Sequence, residues 1–318
     1  MKTLLKKINR LDLVKNLSVL KTDTIILIID EKILSDLPII EIKDKKIISV
    51  TVCGGEGCKN FSTYESVCEK ILGQGIHRNA QIVAIGGGAT TDLAGFVAAT
   101  LLRGLKWITV PTTLLSMVDA SVGGKVAINS SFGKNLIGAF HQPNEVWLDQ
   151  HFLTTLSEKE ISSGKGEIVK YALLDLGIFK LITNQATLSE IIEACVKYKK
   201  KIVEQDFKEK NVRKYLNLGH TFGHALERSY NIPHGIAVIY GIKIIIDRYC
   251  SVKIKDGFNQ VVKRLGLEIY LNQTISYDQN LLKLIKQDKK KISDTHIELV
   301  ILEDIGKPAL KTFELNQL

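Results

Sequence analysis

The amino-acid sequence predicts an α/β N-terminal domain with a largely parallel, doubly wound sheet, followed by a mainly α-helical C-terminal domain. In the first half of the chain, short β-branched apolar runs alternate with helical segments, which is typical of parallel α/β sheets. From about residue 156, long segments with helical periodicity replace this alternation. We therefore predict domains at residues 1–155 and 156–318. Because ligands often bind between domains, we expect the active site in the interdomain cleft.

Four segments of the first half are predicted to be strands buried in a sheet, because they are short, apolar and rich in β-branched residues. In chain order they are TIILIID (24–30), KIISVTV (46–52), QIVAIGG (81–87) and WITVPTT (107–113). Helices are predicted between them, at 61–73 and 91–102. In the second half, only HIELVIL (296–302) is typical of a strand.

The composition of the chain argues against several protein classes. The chain has 318 residues, 45% of them hydrophobic, yet no apolar run is long enough to span a bilayer. Charge interrupts the first segment too often for a secretory signal, and the five cysteines include no C-x-x-C pair. We therefore expect a cytoplasmic protein without disulfides or a zinc ribbon. The net charge of +9 comes mainly from lysines spread along the chain, so we do not expect nucleic-acid binding.

A glycine-rich turn, AIGGGATTDLAGF (84–96), follows one predicted strand and runs directly into a helix. Its three glycines let backbone N–H groups approach a phosphate closely, and the helix N-terminus behind them adds partial positive charge. The pattern is not G-x-G-x-x-G, and a tight strand–helix turn explains it equally well. Asp92, and the Thr112 and Thr113 pair that ends the next strand, favour a ligand, because α/β sheets bind ligands at the carboxyl ends of their strands.

The next segment, DASVGGKVAINSSFGKNLIGAFHQP (119–143), is rich in glycine, serine and asparagine. Lys125 and Lys134 each follow a glycine, and Asn135 is beside the second lysine. Such donors would suit an anionic ligand. A β-hairpin on the surface is the alternative interpretation.

The second half contains polar residues at helical spacings. Glu167 and Lys170 are three residues apart on one predicted helix face, and their apolar neighbours predict partial burial. Further on, two adjacent helical segments are predicted to carry Lys199, Glu209, Arg213, Asn217, His220 and His224. From Glu209 onward these residues recur at intervals of three or four, so one continuous helix would align them in a polar stripe. A solvated helix face would explain the glutamate and the arginine, but less readily the histidines.

Three histidines are candidate metal ligands. His220 and His224 are four residues apart, so both imidazoles would lie on one face of a helix, and His234 follows in PHG. Together with a carboxylate such as Glu167, imidazoles form a site typical of catalytic zinc, with positions open to a substrate. The spacing alone does not tell which two of the three histidines join Glu167.

Five segments taken together resemble the 3-dehydroquinate synthases, a family of sugar phosphate cyclases. They are GGGATTDLAGFVAATLLRG, VPTTLLSMVDASVGGKVAIN, GKNLIGAFHQP, GEIVKY and LNLGHTFGHALE. The resemblance runs from about residue 50 to 245, with a weaker similarity at QDKKK near 288. It implies conversion of 3-deoxy-D-arabino-heptulosonate 7-phosphate to 3-dehydroquinate and phosphate in the shikimate pathway, with NAD used and regenerated in each turnover. It also implies one divalent metal ion, Zn²⁺ or Co²⁺, and a homodimer.

The resemblance assigns roles to residues of this chain. The implied metal ligands are Glu167, His220 and His234, whereas His224 is implied to be a catalytic histidine near the departing phosphate. The other residues implied to contact the substrate are Arg213 and Lys199 at its carboxylate, Lys125, Asn135, Asn217 and Lys289 at its phosphate, Arg103 from a partner subunit, and Asp119, Lys170 and Glu209 around its hydroxyls. The implied NAD-binding residues are Asp30, Glu56, Lys59, Gly86, Gly87, Gly88, Ala89, Thr90, Thr91, Asp92, Thr112, Thr113, Lys125, Lys134, Phe152, Leu153, Thr154 and Thr155.

Two positions depart from the family pattern. Gly54 replaces an aspartate before the implied NAD-binding lysine, and Ile236 replaces a glutamate after the last implied metal histidine. The alternative functions are another sugar phosphate cyclase, such as a 2-deoxy-scyllo-inosose synthase, a metal-dependent polyol dehydrogenase of the same fold, and a nonenzymatic basic binding protein. SVGGK and HTFGH favour the 3-dehydroquinate synthases, whereas a polyol dehydrogenase has no use for so many anion-binding lysines.

Overall fold

The chain folds as two units, Met1–Leu156 and Ser157–Leu318. The structure is a computed structural model that describes residues 3–271, 284, 285, 293 and 295–315. Within these ranges, no helix is long and apolar enough to cross a membrane. Buried apolar side chains form a core in each unit, which we describe separately.

The first unit contains a six-stranded sheet in which each strand runs parallel to its neighbours. In chain order, the strands of this unit are β1 (Leu4–Lys7), β2 (Thr24–Asp30), β3 (Lys46–Val52), β4 (Gln81–Gly86), β5 (Lys106–Pro111), β6 (Lys125–Ser130), β7 (Gly133–Phe140) and β8 (Glu145–Leu148). The order across the sheet is β1-β8-β5-β4-β2-β3, which confirms the predicted parallel α/β fold.

All four predicted strands of the first half are confirmed as β2, β3, β4 and β5, within two residues at either end. Strands β1 and β8 of the same sheet were not predicted. Each is only four residues long, LLKK and EVWL, which is too short to show an apolar pattern above that of the surrounding sequence.

The order of the sheet reverses between β2 and β4. From β2 the chain moves to β3 at one edge and then crosses to the other side of β2 to form β4. In doubly wound sheets, ligands bind at such a reversal, beyond the carboxyl ends of the two strands. Here those ends are Asp30 and Gly86, so the topology places the glycine-rich turn where a ligand is expected.

Three helices accompany the sheet, namely α1 (Leu13–Ser18), α2 (Phe61–Leu72) and α3 (Gly88–Thr100). Strands β6 and β7 pair antiparallel, so segment 119–143 contains a β-hairpin, but Val126, Ala127 and Ile128 of β6 are buried and not on the surface. The hairpin packs closely on α3, because a Cβ at Gly95 would lie 2.4 Å from a Val126 methyl group and 2.8 Å from the Trp107 ring.

The second unit is mainly helical, as predicted. Up to residue 271, its helices are α4 (Glu158–Leu174), α5 (Leu176–Thr183), α6 (Leu188–Gln205), α7 (His220–Tyr230), α8 (His234–Tyr249), α9 (Val252–Arg264) and α10 (Glu268–Leu271). The prediction of a single strand in this half was wrong, because β9 (His296–Asp304) pairs antiparallel with β10 (Lys307–Glu314). Strand β10 has no fully buried residue, so it lacks the apolar run by which the other strands were identified.

The polar stripe that one continuous helix would form from Glu209 to His224 does not occur, because no continuous helix runs through these residues. A short 3₁₀ helix (Val212–Asn217) comes first, and Gly219 separates it from α7. Gly219 has a φ of +78°, and a Cβ there would lie 2.5 Å from the Ile242 side chain. Glycine is therefore required at this break, and α7 begins only after it.

Candidate active site

A carboxylate and an ammonium group form a buried ion pair on α4. Glu167 and Lys170 are three residues apart on one face of the helix, and their side chains are 0% and 1% exposed. The sequence predicted partial burial, whereas the structure removes the pair completely from solvent. Because isolating charges from water is costly, such a pair is a candidate functional group.

Two imidazoles converge on the same carboxylate. His220 is the first residue of α7 and His234 is the first residue of α8. Their Nε2 atoms lie 3.3 Å and 3.2 Å from Glu167 Oε1. The ligand atoms that the three residues offer all lie within 4.8 Å of one another. The structure thus brings together the three residues that the resemblance implied to be metal ligands.

His224 lies beside this group but outside it. Its ring centroid is 5.4 Å from that of His220 and 5.8 Å from that of His234, and its side chain is exposed. The four-residue spacing therefore brings His224 near the metal-ligand group of Glu167, His220 and His234, but His224 is not part of that group.

The second ring nitrogen of each converging histidine faces an oxygen. His220 Nδ1 is 3.1 Å from the Leu218 carbonyl oxygen, and His234 Nδ1 is 2.9 Å from Glu227 Oε2. In the tautomer that donates from Nδ1, each imidazole would have its Nε2 lone pair available to a metal ion shared with Glu167.

Burial and charge together set the pKa values of these groups. Burial alone raises the pKa of Glu167, but the Lys170 ammonium and the two imidazoles outweigh it and hold that pKa well below its usual range. Burial also lowers the pKa of His220 against the pull of the same carboxylate. For His234, burial lowers the pKa, but the adjacent carboxylates of Glu167 and Glu227 outweigh it and raise the pKa to about 10. Glu167 is therefore an anion, as a metal ligand must be.

A divalent metal ion fits this donor set. Among the described residues, none gives either buried oxygen of Glu167 a well-aligned hydrogen bond, although Lys170 and the imidazoles lie within ion-pair distance. One carboxylate oxygen and two imidazole nitrogens match the ligands of catalytic zinc and related first-row metals. Three protein ligands also leave positions for other oxygens.

Backbone contacts between α4 and α8 position the carboxylate against the histidine. A Cβ at Gly166 would lie 2.1 Å from the Gly235 carbonyl oxygen, and a Cβ at Gly235 would lie 1.8 Å from the Ser163 carbonyl oxygen. The Gly235 N–H also donates to Ser163 Oγ at 3.2 Å. Because Gly166 precedes Glu167 and Gly235 follows His234, this glycine contact sets the separation of two ligand candidates.

Asp206, which the sequence analysis missed, shapes the loop after α6. Its carboxylate accepts three backbone N–H groups, from Lys210 at 2.9 Å, Asn211 at 2.6 Å and Arg213 at 3.1 Å. Burial raises the pKa of Asp206, but these three hydrogen bonds together lower it by more, so the net shift is downward. An aspartate at a helix end before a polar turn was the signal that could have revealed it.

That loop carries several of the residues implied to bind substrate. Arg213 is buried and donates from its guanidinium to the Phe207 carbonyl oxygen at 2.6 Å. Asn217 donates its amide to Glu209 Oε1 at 2.7 Å. Lys199, on α6, is also buried. Lys289, by contrast, lies outside the described residues.

In the first unit, Asp30 lies at the reversal of the sheet, held by its neighbours. Its carboxylate accepts the Lys32 backbone N–H at 3.0 Å and the Thr90 hydroxyl at 3.3 Å. A Cβ at Gly54 would lie 2.4 Å from Asp30 Oδ1. Because Gly54, one of the two departures from the family pattern, has no side chain, the Asp30 carboxylate can occupy the space where a Cβ at position 54 would lie. The other departure, Ile236, is simply buried.

A buried lysine links three segments of the first unit. Lys59 donates to Asp92, at the first turns of α3, at 2.7 Å and to Asn135 Oδ1 on β7. Glu56 Oε1 is 3.8 Å from the same ammonium group. The structure therefore brings together Lys59, Asp92 and Glu56, implied to bind NAD, and Asn135, implied to bind phosphate.

The remaining implied residues lie on turns and strand ends of this unit. The turn from Gly86 to Asp92 opens α3, and the Thr112 N–H donates to the Gly86 carbonyl oxygen at 3.0 Å. The others are Thr113, which bonds Ser116, Asp119 in the π-helix Ser116–Ala120, Lys125 and Lys134 on β6 and β7, and Phe152, Leu153, Thr154 and Thr155 in the 3₁₀ helix Gln150–Thr155.

Arg103 is the middle residue of a turn in which three consecutive residues have positive φ values. Leu102, Arg103 and Gly104 have φ values of +50°, +68° and +120°. Such a conformation is costly for residues with a side chain, so it persists only where the surrounding structure imposes it. Arg103 also lines a cavity of about 610 Å³ together with residues of α2 such as Tyr64 and Glu69.

Comparison with known proteins gives consistent matches along the chain. The family model described as "3-dehydroquinate synthase N-terminal" matches residues 49–163, and the one described as "3-dehydroquinate synthase C-terminal" matches residues 164–291. A 3-dehydroquinate synthase of Staphylococcus saprophyticus is 41% identical, covering 91% of this chain and 86% of the relative. One of Listeria innocua is 38% identical, covering 88% and 79%.

Solved structures share the fold at lower sequence identity. A 2-deoxy-scyllo-inosose synthase complexed with carbaglucose-6-phosphate, NAD⁺ and Co²⁺ has a TM-score of 0.80 and 23% identity, over 98% of this chain and 94% of that one. A 2-epi-5-epi-valiolone synthase from Streptomyces hygroscopicus, with NAD⁺ and Zn²⁺ bound, has a TM-score of 0.81 and 20% identity, over 98% and 92%. At these identities, the likeness demonstrates the fold.

Proposed function

The chain belongs to the 3-dehydroquinate synthase family, and we propose that it converts 3-deoxy-D-arabino-heptulosonate 7-phosphate to 3-dehydroquinate and phosphate. The observation that carries this proposal is the convergence of Glu167, His220 and His234 in a member of this family. The reaction oxidises a ring hydroxyl, eliminates phosphate beside the new ketone, reduces that ketone again and closes the carbocycle by an aldol addition.

We assign one divalent metal ion, Zn²⁺ or Co²⁺, to Glu167, His220 and His234. When bound, such an ion supplies Lewis acidity toward substrate oxygens. The carboxylate and the two Nε2 atoms hold it, and Lys170 keeps Glu167 ionised by its buried positive charge. The solved structures of two related cyclases, one with Co²⁺ and one with Zn²⁺, support this assignment.

We assign NAD to the carboxyl ends of β2 and β4. When bound, NAD supplies the hydride acceptor and donor. The glycine-rich turn from Gly86 offers backbone N–H groups to the pyrophosphate, and the Asp30 carboxylate is a fixed acceptor for ribose hydroxyls. The buried ammonium group of Lys59 holds Asp92 beside this turn.

The substrate carries a carboxylate and a phosphate, which we assign to separate groups of residues. Arg213 and Lys199 hold the carboxylate, and Asp119, Lys170 and Glu209 surround the hydroxyls. Lys125, Asn135, Asn217 and Lys289 hold the phosphate, with Arg103 from a partner subunit. The exposed His224 is assigned to transfer a proton at the departing phosphate. Each charge-assisted hydrogen bond of this kind contributes about 1.5–3 kcal/mol.

An assay of phosphate release tests the proposed reaction. Purified protein is mixed with the heptulosonate phosphate, NAD and Zn²⁺ or Co²⁺, and phosphate and 3-dehydroquinate are expected in equal amounts. Glucose 6-phosphate serves as the control substrate, and no phosphate is expected from it. Phosphate from glucose 6-phosphate alone would identify the 2-deoxy-scyllo-inosose synthase reaction instead, and no turnover with either substrate would favour a binding protein.

Turnover is expected to require NAD without producing net NADH, because the hydride removed from the substrate returns to it before the carbocycle closes. Phosphate release and the absorbance of reduced nicotinamide are recorded in the same reaction. Phosphate should accumulate over many turnovers while the absorbance stays at or below the concentration of enzyme sites. Accumulation of NADH in step with product would instead identify a polyol dehydrogenase.

We also propose a homodimer in which Arg103 serves the neighbouring site. The positive φ of Arg103 supports this proposal, because such a costly backbone conformation is expected where a side chain is held for a specific contact. Arg103→Ala and Lys125→Ala are each expected to be inactive alone. After exchange of subunits between the two variants, half of the dimers are mixed and each mixed dimer has one intact site, so activity should recover to about a quarter of the wild-type value.

The control for this experiment is Arg78→Ala, which removes an exposed arginine of the same unit and should leave activity unchanged. Mixed dimers are verified by mass after tagging one variant. If verified mixed dimers show no recovery, the shared site is excluded.

A further inference from the structure

Glu227 contacts His234 through the ring nitrogen that does not face Glu167. Its Oε2 lies 2.9 Å from His234 Nδ1, while His234 Nε2 lies 3.2 Å from Glu167 Oε1. None of the roles assigned above falls on Glu227. We propose that Glu227 is a positioning residue, which selects one tautomer of His234 and thereby directs Nε2 to the metal ion. This inference rests on the metal-dependent function proposed above.

The argument follows from what each group can donate and accept. A neutral imidazole carries its proton on one nitrogen and a lone pair on the other. A metal ion on Nε2 would take the lone pair there and leave the proton of His234 on Nδ1, and the ionised Glu227 carboxylate, which only accepts hydrogen bonds, stabilises that form. In that form Nε2, which faces Glu167, is the nitrogen that would bind the metal ion. A ligating histidine is commonly held by an acceptor on its other nitrogen in this way.

The two converging histidines are held by acceptors of different kinds. His220 Nδ1 faces the Leu218 carbonyl oxygen at 3.1 Å, a neutral group that no side-chain substitution removes. His234 begins α8, which only three residues separate from the end of α7, and its acceptor is a charged side chain. Substitution of Glu227 therefore tests the orientation of one ligand while the other keeps its backbone acceptor.

A purely structural role explains the contact between Glu227 and His234 less well than a positioning role does. The two side chains are partly exposed, 29% for His234 and 20% for Glu227, and ion pairs near solvent stabilise a fold only weakly. Helices α7 and α8 are already held by their backbones: a Cβ at Gly241 of α8 would lie 2.0 Å from the Gly219 carbonyl oxygen, just before α7. Loss of the Glu227 carboxylate should therefore leave the helix pair intact.

The test compares Glu227→Gln, Glu227→Asp and the control Glu193→Gln, which neutralises a surface carboxylate paired with Lys197 on α6. Glutamine keeps the size of the side chain, but its amide both donates and accepts, so it no longer selects a tautomer. Each metal-free protein is titrated with Zn²⁺ against a chromophoric chelator, and the absorption spectrum of bound Co²⁺ is recorded. The thermal midpoint of each metal-free protein is measured as well.

Glu227→Gln is expected to bind Zn²⁺ about 10- to 100-fold more weakly than wild type and to change the Co²⁺ spectrum. Glu227→Asp should recover part of the affinity, and Glu193→Gln all of it. The metal-free midpoint of Glu227→Gln should equal that of the control. Unchanged Zn²⁺ affinity in Glu227→Gln, or a lowered metal-free midpoint that accounts for the loss, overturns the inference. Absence of Zn²⁺ binding by the wild type would overturn the proposed metal site itself.

Discussion

Loss of His220, His234 or Glu167 is expected to remove most of the bound metal and the activity, whereas loss of His224 is expected to remove activity alone. The first three offer ligand atoms within 4.8 Å of one another, and His224 is not among them. We expect His220→Ala and His234→Ala to retain little metal. His224→Ala should keep near-stoichiometric metal while its turnover falls by about 10²–10⁴, the range for loss of acid–base catalysis.

The carboxylate is better tested with glutamine than with alanine. Glu167→Ala would leave the Lys170 ammonium group buried without its partner, and breaking a buried pair costs about 3–5 kcal/mol. Glu167→Gln also removes the charge, but it keeps the volume of the side chain, and its amide oxygen can still accept a hydrogen bond from Lys170. Unfolding curves of the metal-free variants separate loss of ligation from loss of the fold.

Metal content of the four purified variants decides between the two pairs of histidines. If His224→Ala is metal-free while His234→Ala stays loaded, the local pair four residues apart is the ligand pair, and the assignment made here is wrong. The same preparations are assayed for phosphate release, so that metal loss and catalytic loss are read on one sample.

Substitution of Gly235 or Gly166 by alanine is expected to destabilise the second unit and to disrupt the metal site. The added methyl group would lie 1.8 Å from the Ser163 carbonyl oxygen at one position and 2.1 Å from the Gly235 carbonyl oxygen at the other. Both obstacles are backbone atoms, which no change of rotamer can move. Helices α4 and α8 must therefore separate. The free energy of unfolding should fall by about 3 kcal/mol or more, at or above the upper end for overpacked cores.

The matched control is Gly57→Ala, because nothing lies within 4 Å of the Cβ position at Gly57. Urea unfolding of the metal-free proteins gives the loss of stability, and Zn²⁺ titration under native conditions gives the loss of affinity. We expect both quantities to fall for Gly235→Ala and neither to fall for Gly57→Ala. Full Zn²⁺ affinity in a folded Gly235→Ala protein would contradict the role given to this helix contact.

Much of the first unit could be predicted from the sequence. Strands β2, β4 and β5 are almost wholly buried apolar runs, β3 alternates buried and exposed residues, and the alternation of all four with helices specifies a parallel sheet. Short or exposed strands could not be found in this way. β1 and β8 have four residues each, and β10 has no fully buried residue, so their pairing depends on partners distant in the chain.

For the candidate site, the sequence determined the chemical groups, their grouping along the chain and, through the resemblance, the family. It did not determine their geometry. No single helix aligns the residues from Glu209 to His224, because Glu209 and Gly219, with φ values of +58° and +78°, both depart from helical backbone. Periodicity describes positions within one helix and contains no information about where that helix stops.

Only the tertiary structure decided which histidines converge with the buried carboxylate. In the sequence, His220 and His224 are only four residues apart and form the obvious pair of ligand candidates, whereas His234 lies ten residues beyond His224. In the fold, α8 starts at His234 and packs on α4 through the Gly166 and Gly235 contact, which brings His234 to Glu167. The physical reason is that ligand atoms are positioned by the approach of separate helices, and that approach depends on backbone packing rather than on spacing along the chain.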